Sequence, residues 1–240
     1  MKDLFYALVI VTVLSPANLV GQDIPFQVGE SLIYNAEFNH IPVGEAVLQV
    51  HGMDTINGKS SYHVSFSART GRLADQIFKI RDRVDIWMDE TKLYTHKLRK
   101  KIREGPYKRK INMLVDYEKM IAITNQDTNA IDFEVRDPYS MFYYLRTVPL
   151  EINQPMVFST YENKKNTRFN LIVTGKEIVK APLGSYICKV VKPYKKGRTL
   201  FKNQGDMQIW FTDDKDRLPL KIQIKLKYGS MTLYLRQVNS

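Results

Sequence analysis

Three runs, SLIYNAEF (Ser31–Phe38), AVLQV (Ala46–Val50) and SYHVSFSA (Ser61–Ala68), decide the fold, and the Asn57-Gly58 step between the last two decides how they meet. Leu32, Tyr34, Ala36 and Phe38 fall on alternate positions. So do Ala46, Leu48 and Val50, and then Tyr62, Val64, Phe66 and Ala68. Side chains of an extended chain point to opposite faces in turn, so each run reads as a half-buried strand. Asn-Gly between two such runs is a strong hairpin signal, and the stretch from Asn39 to Pro42 supplies an earlier turn.

The same patterning continues outward. Further strand-type runs are Phe78–Met88, Leu93–Arg103, Tyr107–Val115 and Met120–Thr124, then Met156–Tyr161, Arg168–Val179, Tyr186–Val191, Met207–Phe211, Leu218–Leu226 and Met231–Val238. Several reach ten residues, and long neighbouring antiparallel strands twist and coil. The expected fold is therefore mainly β, a barrel or curved half-barrel of long antiparallel strands, with one short helix near residues 137–148. Asp137 suits a helix cap and Pro138 the first turn. Met141, Phe142 and Leu145 share a helical face, and Pro149 stops the continuation. Such a helix covers an open sheet face or plugs a barrel mouth. No repeat or linker divides the chain, so residues 22–240 are expected to form one β-rich domain.

Composition and charge narrow the setting. The chain has 240 residues, 44% hydrophobic and 25% charged, with 14 Tyr and 11 Phe, which excludes a disordered chain. Lys2 is followed by an apolar run from Leu4 to Leu14, about half of a membrane span, then by Pro16 and small residues. This is the pattern of a signal peptide over residues 1–21, with cleavage expected after Gly21 and Ala17 as the other candidate. Cys188 is the only cysteine, so no disulfide and no lipidated cysteine after the leader are expected. The destination expected is the periplasm. A net charge of +11 favours acidic partners, a lipid surface or an acidic polysaccharide, and export argues against nucleic acid.

Residues with chemistry are sparse. There is no G-x-S-x-G, and the four histidines (His40, His51, His63 and His96) are scattered. No metal and no cofactor are expected. Asp213-Asp214-Lys215-Asp216 lacks the glycine and distal glutamate of a calcium loop and reads as a hairpin turn. A glycosidase would need two carboxylates about 5–9 Å apart across a groove, for which Glu177 and Asp206 are candidates without further support. Two sets stand out. Lys97, Arg99, Lys101 and Arg103 alternate along one strand, and Lys108 and Lys110 follow across the Glu104-Gly105-Pro106 turn, so six cations share a hairpin face able to hold a polyanion. Such faces also protect sheets from edge-to-edge aggregation. The second set is aromatic and apolar: Tyr34, Phe38, Tyr62, Phe66, Trp87, Phe142, Tyr143, Tyr144, Leu145 and Trp210 either fill the core or line a cavity for a lipid-like guest.

Four segments carry a family likeness. They are Gly29-Glu30-Ser31-Leu32-Ile33-Tyr34 with Pro42-Val43-Gly44-Glu45-Ala46; Asp137-Pro138-Tyr139-Ser140 with Tyr144-Leu145-Arg146; Gly175-Lys176-Glu177 with Pro182-Leu183-Gly184-Ser185-Tyr186, Cys188 and Pro193; and Ile209-Trp210-Phe211-Thr212-Asp213 with Arg217-Leu218-Pro219-Leu220 and Tyr228-Gly229. Together the chain resembles the exported bacterial family known as domain of unknown function 3108. The resemblance implies a Gram-negative envelope protein with a β-rich fold, and it supplies no activity and no catalytic residues. Arg146, within the second segment, either complements the helix C-terminus or faces a groove as an anion hook. The expected function is non-catalytic: binding an amphiphile in a sheet-and-helix cavity, or an acidic envelope component on the basic face. A partner-binding subunit of an envelope assembly and a polysaccharide-acting enzyme are the alternatives.

Overall fold

The computed structural model describes residues 24–162, 165–194 and 207–240. The expected signal peptide and Asp206 lie outside the described residues. Fourteen strands form one antiparallel sheet: β1 (Ser31–Phe38), β2 (Ile41–Ile56), β3 (Lys59–Thr70), β4 (Arg81–Asp89), β5 (Thr95–Glu104), β6 (Tyr107–Asp116), β7 (Ile121–Thr124), β8 (Asp127–Ala130), β9 (Met156–Glu162), β10 (Lys165–Ala181), β11 (Gly184–Tyr194), β12 (Met207–Thr212), β13 (Pro219–Leu226) and β14 (Gly229–Asn239). Strands consecutive in sequence pair with one another except β8 and β9, and β1 also pairs with β14. The order runs from β8 through β1 and β14 to β9, so the sheet is not closed and its edges are two strands consecutive in the chain. The Asn166 amide donates to Ala130 O at 3.2 Å across that seam.

Asn57 and Gly58 both take positive φ, as a tight hairpin between twisted strands demands. Bulges at Ile33/Tyr34, Val50/Gly52 and Val173/Lys176 bend their strands and add curvature. The segment joining the two edge strands crosses the hollow of the sheet and carries helix α1 (Ser140–Thr147). Only Tyr144 and Thr147 of that helix keep partial exposure, so it is enclosed rather than laid on a surface. Asp137 Oδ1 accepts the Tyr139 and Ser140 amides at 2.8 and 3.1 Å, capping the first turn, while Thr95 Oγ1 donates to Asp137 Oδ2 at 2.8 Å.

The strand boundaries differ from expectation in one informative place. The run from Phe78 reads as strand, but pairing with β3 starts at Arg81, and residues 71–80 form a loop containing a short 3-10 turn, Ala74–Gln76. The β12–β13 connection is the hairpin turn expected of the acidic cluster: Asp214 Oδ1 accepts from Thr212 Oγ1 and from the Asp216 and Arg217 amides. Cys188 is fully buried in β11, where burial and the carboxylates of Asp214, Asp213 and Glu177 push its thiol up to about 12.

Candidate functional site

The two ends of the hollow differ. At one end Arg146 is buried and forks onto Glu30 at 2.6 and 2.9 Å, donating also to Pro25 O at 2.5 Å and Asp216 O at 3.0 Å. Arg217 Nη1 donates to Arg146 O and Val148 O, both at 2.9 Å, satisfying carbonyls that the helix end leaves free. Of the two readings of Arg146, the groove-facing anion hook gives way to an internal one: although Arg146 borders a hollow with Glu30, its guanidinium is engaged by the Glu30 carboxylate and by two backbone carbonyls. Tyr34, whose hydroxyl donates to Pro219 O at 3.0 Å, and Leu145 are fully buried in the core and lie off the wall of the cavity between α1 and the sheet.

At the other end the helix leaves space. A cavity of about 400 Å³ lies between α1 and the sheet, walled by Ala36, Ala46, Phe66, Ala68, Phe142, Ile222, Ile224, Met231 and Leu233. Phe66 stacks on Tyr139 at 4.8 Å, and Pro138 and Tyr139 bring the start of the helix to its wall. Gly44 is required here for a steric reason: a Cβ would stand 2.0 Å from Arg69 O. The mouth is polar, formed by Glu45, Arg69, Thr70, Asp82, Lys100 and Glu104. Glu45 accepts from Arg69 and Arg236. Asp82 and Glu104 hydrogen-bond to each other, and the Arg103 amide donates to Asp82 Oδ1 at 2.9 Å. Burial raises both carboxyls above their usual range, and for Glu104 the Asp82 charge adds to the effect.

Of the other residues expected at such a cavity, Trp87 and Trp210 face outward. On β4 the inward side chains are Val84, Ile86 and Met88, so Trp87 points to the outer face, where its Nε1 donates to Asp54 at 2.9 Å. Trp210 Nε1 donates to Glu177 at 2.7 Å, and Lys221 covers the ring at 4.2 Å. Phe38 is half-buried at the end of β1, off the cavity wall.

The basic hairpin forms as the alternation implies. Lys101 stands opposite Lys110 and Arg103 opposite Lys108, while Arg99 faces Asn112 and Lys97 faces Leu114. Like charges directly opposite destabilise a sheet pair. Lys97 and Arg99 also lie over the Trp87 ring at 4.5 and 5.5 Å, beside a shallow outer groove of about 580 Å³.

One grouping was hidden in the sequence. His51 and His63 lie 4.7 Å apart, His63 is stacked flat on Trp87 at 4.5 Å and meets Asp85 at 3.2 Å, and His51 Nε2 is 2.7 Å from Ser65 Oγ. Two imidazoles and a carboxylate are a metal-ligand set by type. Arg83, however, forks onto both oxygens of Asp85 at 3.0 and 2.7 Å, and Lys97 and Arg99 crowd the same face. Burial above all, and then the neighbouring His63 imidazole and Arg83 guanidinium, keep His51 below its ordinary pKa. That local field opposes a divalent cation.

An unclosed antiparallel barrel, plugged from within by one helix and retaining an apolar hollow, defines the class of molecule. Residues 33–236 match the family described as protein of unknown function (DUF3108), and the chain belongs to it. No curated protein matches the chain. In fold it is similar to a β-barrel-like protein of domain of unknown function DUF1849 from Brucella abortus, at 9% identity over 88% of this chain and 97% of that one, with a TM-score of 0.57. A hypothetical protein from Chlamydia trachomatis (8% identity, 89% and 87% covered, TM-score 0.39) and a Bacteroides fragilis protein with a YmcC-like fold (9%, 90% and 98%, 0.40) are less similar. Identity this low speaks for fold alone.

Proposed function

We propose that the protein is exported to the bacterial periplasm and there holds a small amphiphile in the cavity between helix α1 and the sheet, without catalysing a reaction. The observation that carries this reading is the void itself. Interiors pack to crystal-like density, so a hollow of about 400 Å³ walled by Ala, Ile, Leu, Met and Phe is a departure that a guest would fill. Its size falls within the roughly 300–1,000 Å³ of small-molecule sites, and a mostly apolar wall with a few convergent polar groups is their usual make-up. The apolar chain of the guest would lie against Phe66 and Phe142, with its polar end at Thr70, Asp82, Lys100 and Glu104.

Hydrolysis of a glycoside fits less well. Asp82 and Glu104 are in hydrogen-bond contact, closer than the roughly 5–9 Å that leaves room for a sugar or water between two catalytic carboxyls. The test is native mass spectrometry of freshly purified protein, followed by displacement of a fluorescent fatty acid. A co-purified lipid-sized mass, and loss of fluorophore binding in Ala46→Phe, which fills the void, are the expected results. Equal binding by Ala46→Phe and the wild-type chain would remove the cavity as the site.

A further inference from the structure

Four connections gather at the end of the barrel where the cavity opens. The β1–β2 and β13–β14 turns are tied by the Ser230 amide donating to Asn39 Oδ1 at 2.8 Å and the Asn39 amide donating to Ser230 O at 3.0 Å. The loop of residues 71–80 is tied to β2 by Gly71 N–H to Val43 O at 2.9 Å, and to the β5–β6 turn by Gly105 N–H to Lys79 O at 2.8 Å. This rim exposes Ile41, Leu73, Ile77, Phe78, Tyr107 and Tyr228, with Leu73 and Ile77 at 83% and 90% exposure. Single exposed apolar residues are ordinary. Six of them on neighbouring turns of one rim are more than scattered single exposures and point to an interaction site.

Cations are set between them. Arg72 and Lys79 belong to the loop, Arg103 and Lys108 face each other next to Tyr107, and Lys225 and Lys227 flank Leu226 and Tyr228. The neighbouring acids have partners of their own: Asp75 is bound by Arg81 and Thr70, and Asp82 and Glu104 are bound to each other beside the cavity.

We infer that this rim docks on an anionic lipid bilayer, with Leu73, Ile77 and Phe78 entering the headgroup–acyl boundary and the surrounding lysines and arginines contacting lipid phosphates. The shape chooses a bilayer over a protein partner. The apolar side chains stand on separate projecting turns and form neither a groove nor a flat continuous core, and lysine is depleted from protein–protein cores. A protruding apolar tip ringed by cations has the composition that interfacial lipid binding rewards. Thr70 and Ile80, which bracket the loop, also line the cavity, so a docked molecule turns the cavity mouth to the membrane. Docking does not depend on what the cavity holds.

The test uses phosphatidylglycerol–phosphatidylcholine vesicles in a flotation assay, together with an Ile77→Cys variant carrying an environment-sensitive fluorophore. Cys188 is buried and stays unlabelled. The expected results are binding that rises with phosphatidylglycerol, a blue-shifted label on the vesicles, and at least about tenfold weaker binding for Leu73→Asp with Ile77→Asp. Lys225→Glu with Lys227→Glu should weaken binding at low salt by a similar factor and matter little above about 0.5 M salt. An unshifted label, or undiminished binding by the double aspartate variant with an unchanged circular dichroism spectrum, would overturn the inference. Ala46→Phe should bind vesicles as the wild type does, which separates this test from that of the cavity.

Discussion

The two ends of helix α1 meet opposite surroundings. Its C-terminal turn is held by a buried ion pair, two carbonyl contacts and the Arg217 cap, whereas its N-terminal turn ends against a void with Tyr139 and Phe142 at the wall. A helix anchored at one end and unopposed at the other fixes the position of the cavity without filling it. A hollow of about 410 Å³ also borders Glu30 and Arg146, but its lining is more polar, so the two ends of the helix differ in anchoring and in the chemistry of the adjoining space.

The sharpest way to break this contrast is Arg146→Ala. Removing one partner of a buried, hydrogen-bonded pair strands the other charge, so the variant should lose about 3–5 kcal/mol in urea unfolding. Replacing both partners, Arg146→Met with Glu30→Leu, should recover much of that loss, because no buried carboxylate remains. If the double variant is as unstable as the single one, packing and not charge carries the anchor. Next in size is Leu145→Ala, expected to cost about 2–5 kcal/mol in the dense half of the interior. Ala46→Phe, which adds bulk where the void is, should change stability by less than about 1 kcal/mol, below the penalty usual for overpacking. Equal penalties at positions 46 and 145 would mean that the two ends are not different.

Much of the architecture was readable because burial on one face writes a period of two into each strand, and the single 3.6-residue pattern stood apart. Phe66 and Phe142 are legible as inward-facing residues through parity on β3 and the apolar face of the helix. On β4 the inward parity is set by Val84, Ile86 and Met88, which turns Trp87 to the outer face. Trp210 lies in Ile209-Trp210-Phe211, an uninterrupted apolar run in which alternation assigns no face. Glu30 and Arg146 are 116 residues apart, and nothing local links them. The His51–His63 grouping depends on the bulge at Val50/Gly52, which shifts the register set by the Asn57-Gly58 turn. Only the end of the loop of residues 71–80 reads as strand, because Phe78 and Ile80 are themselves good strand formers.

The smallest expected effect concerns the mouth of the cavity and depends on pH. Asp82 and Glu104 sit side by side with Lys100, Arg69 and Glu45 around them, and burial raises both carboxyls in the folded chain. A folded-state pKa above the unfolded one means that the pair contributes fully below the ordinary carboxylate range and that this contribution is lost as pH rises through the raised values. Asp82→Asn keeps an acceptor for the Arg103 amide and removes one charge. Relative to the wild type, the variant should therefore gain stability as pH increases from about 4 to 8, by less than about 1 kcal/mol because the site is partly solvated. Urea midpoints at several pH values measure this directly, and a relative gain at low pH instead would show that the pair is stabilised by its charges. The same ionisation should weaken capture of an anionic amphiphile and leave a neutral one unaffected.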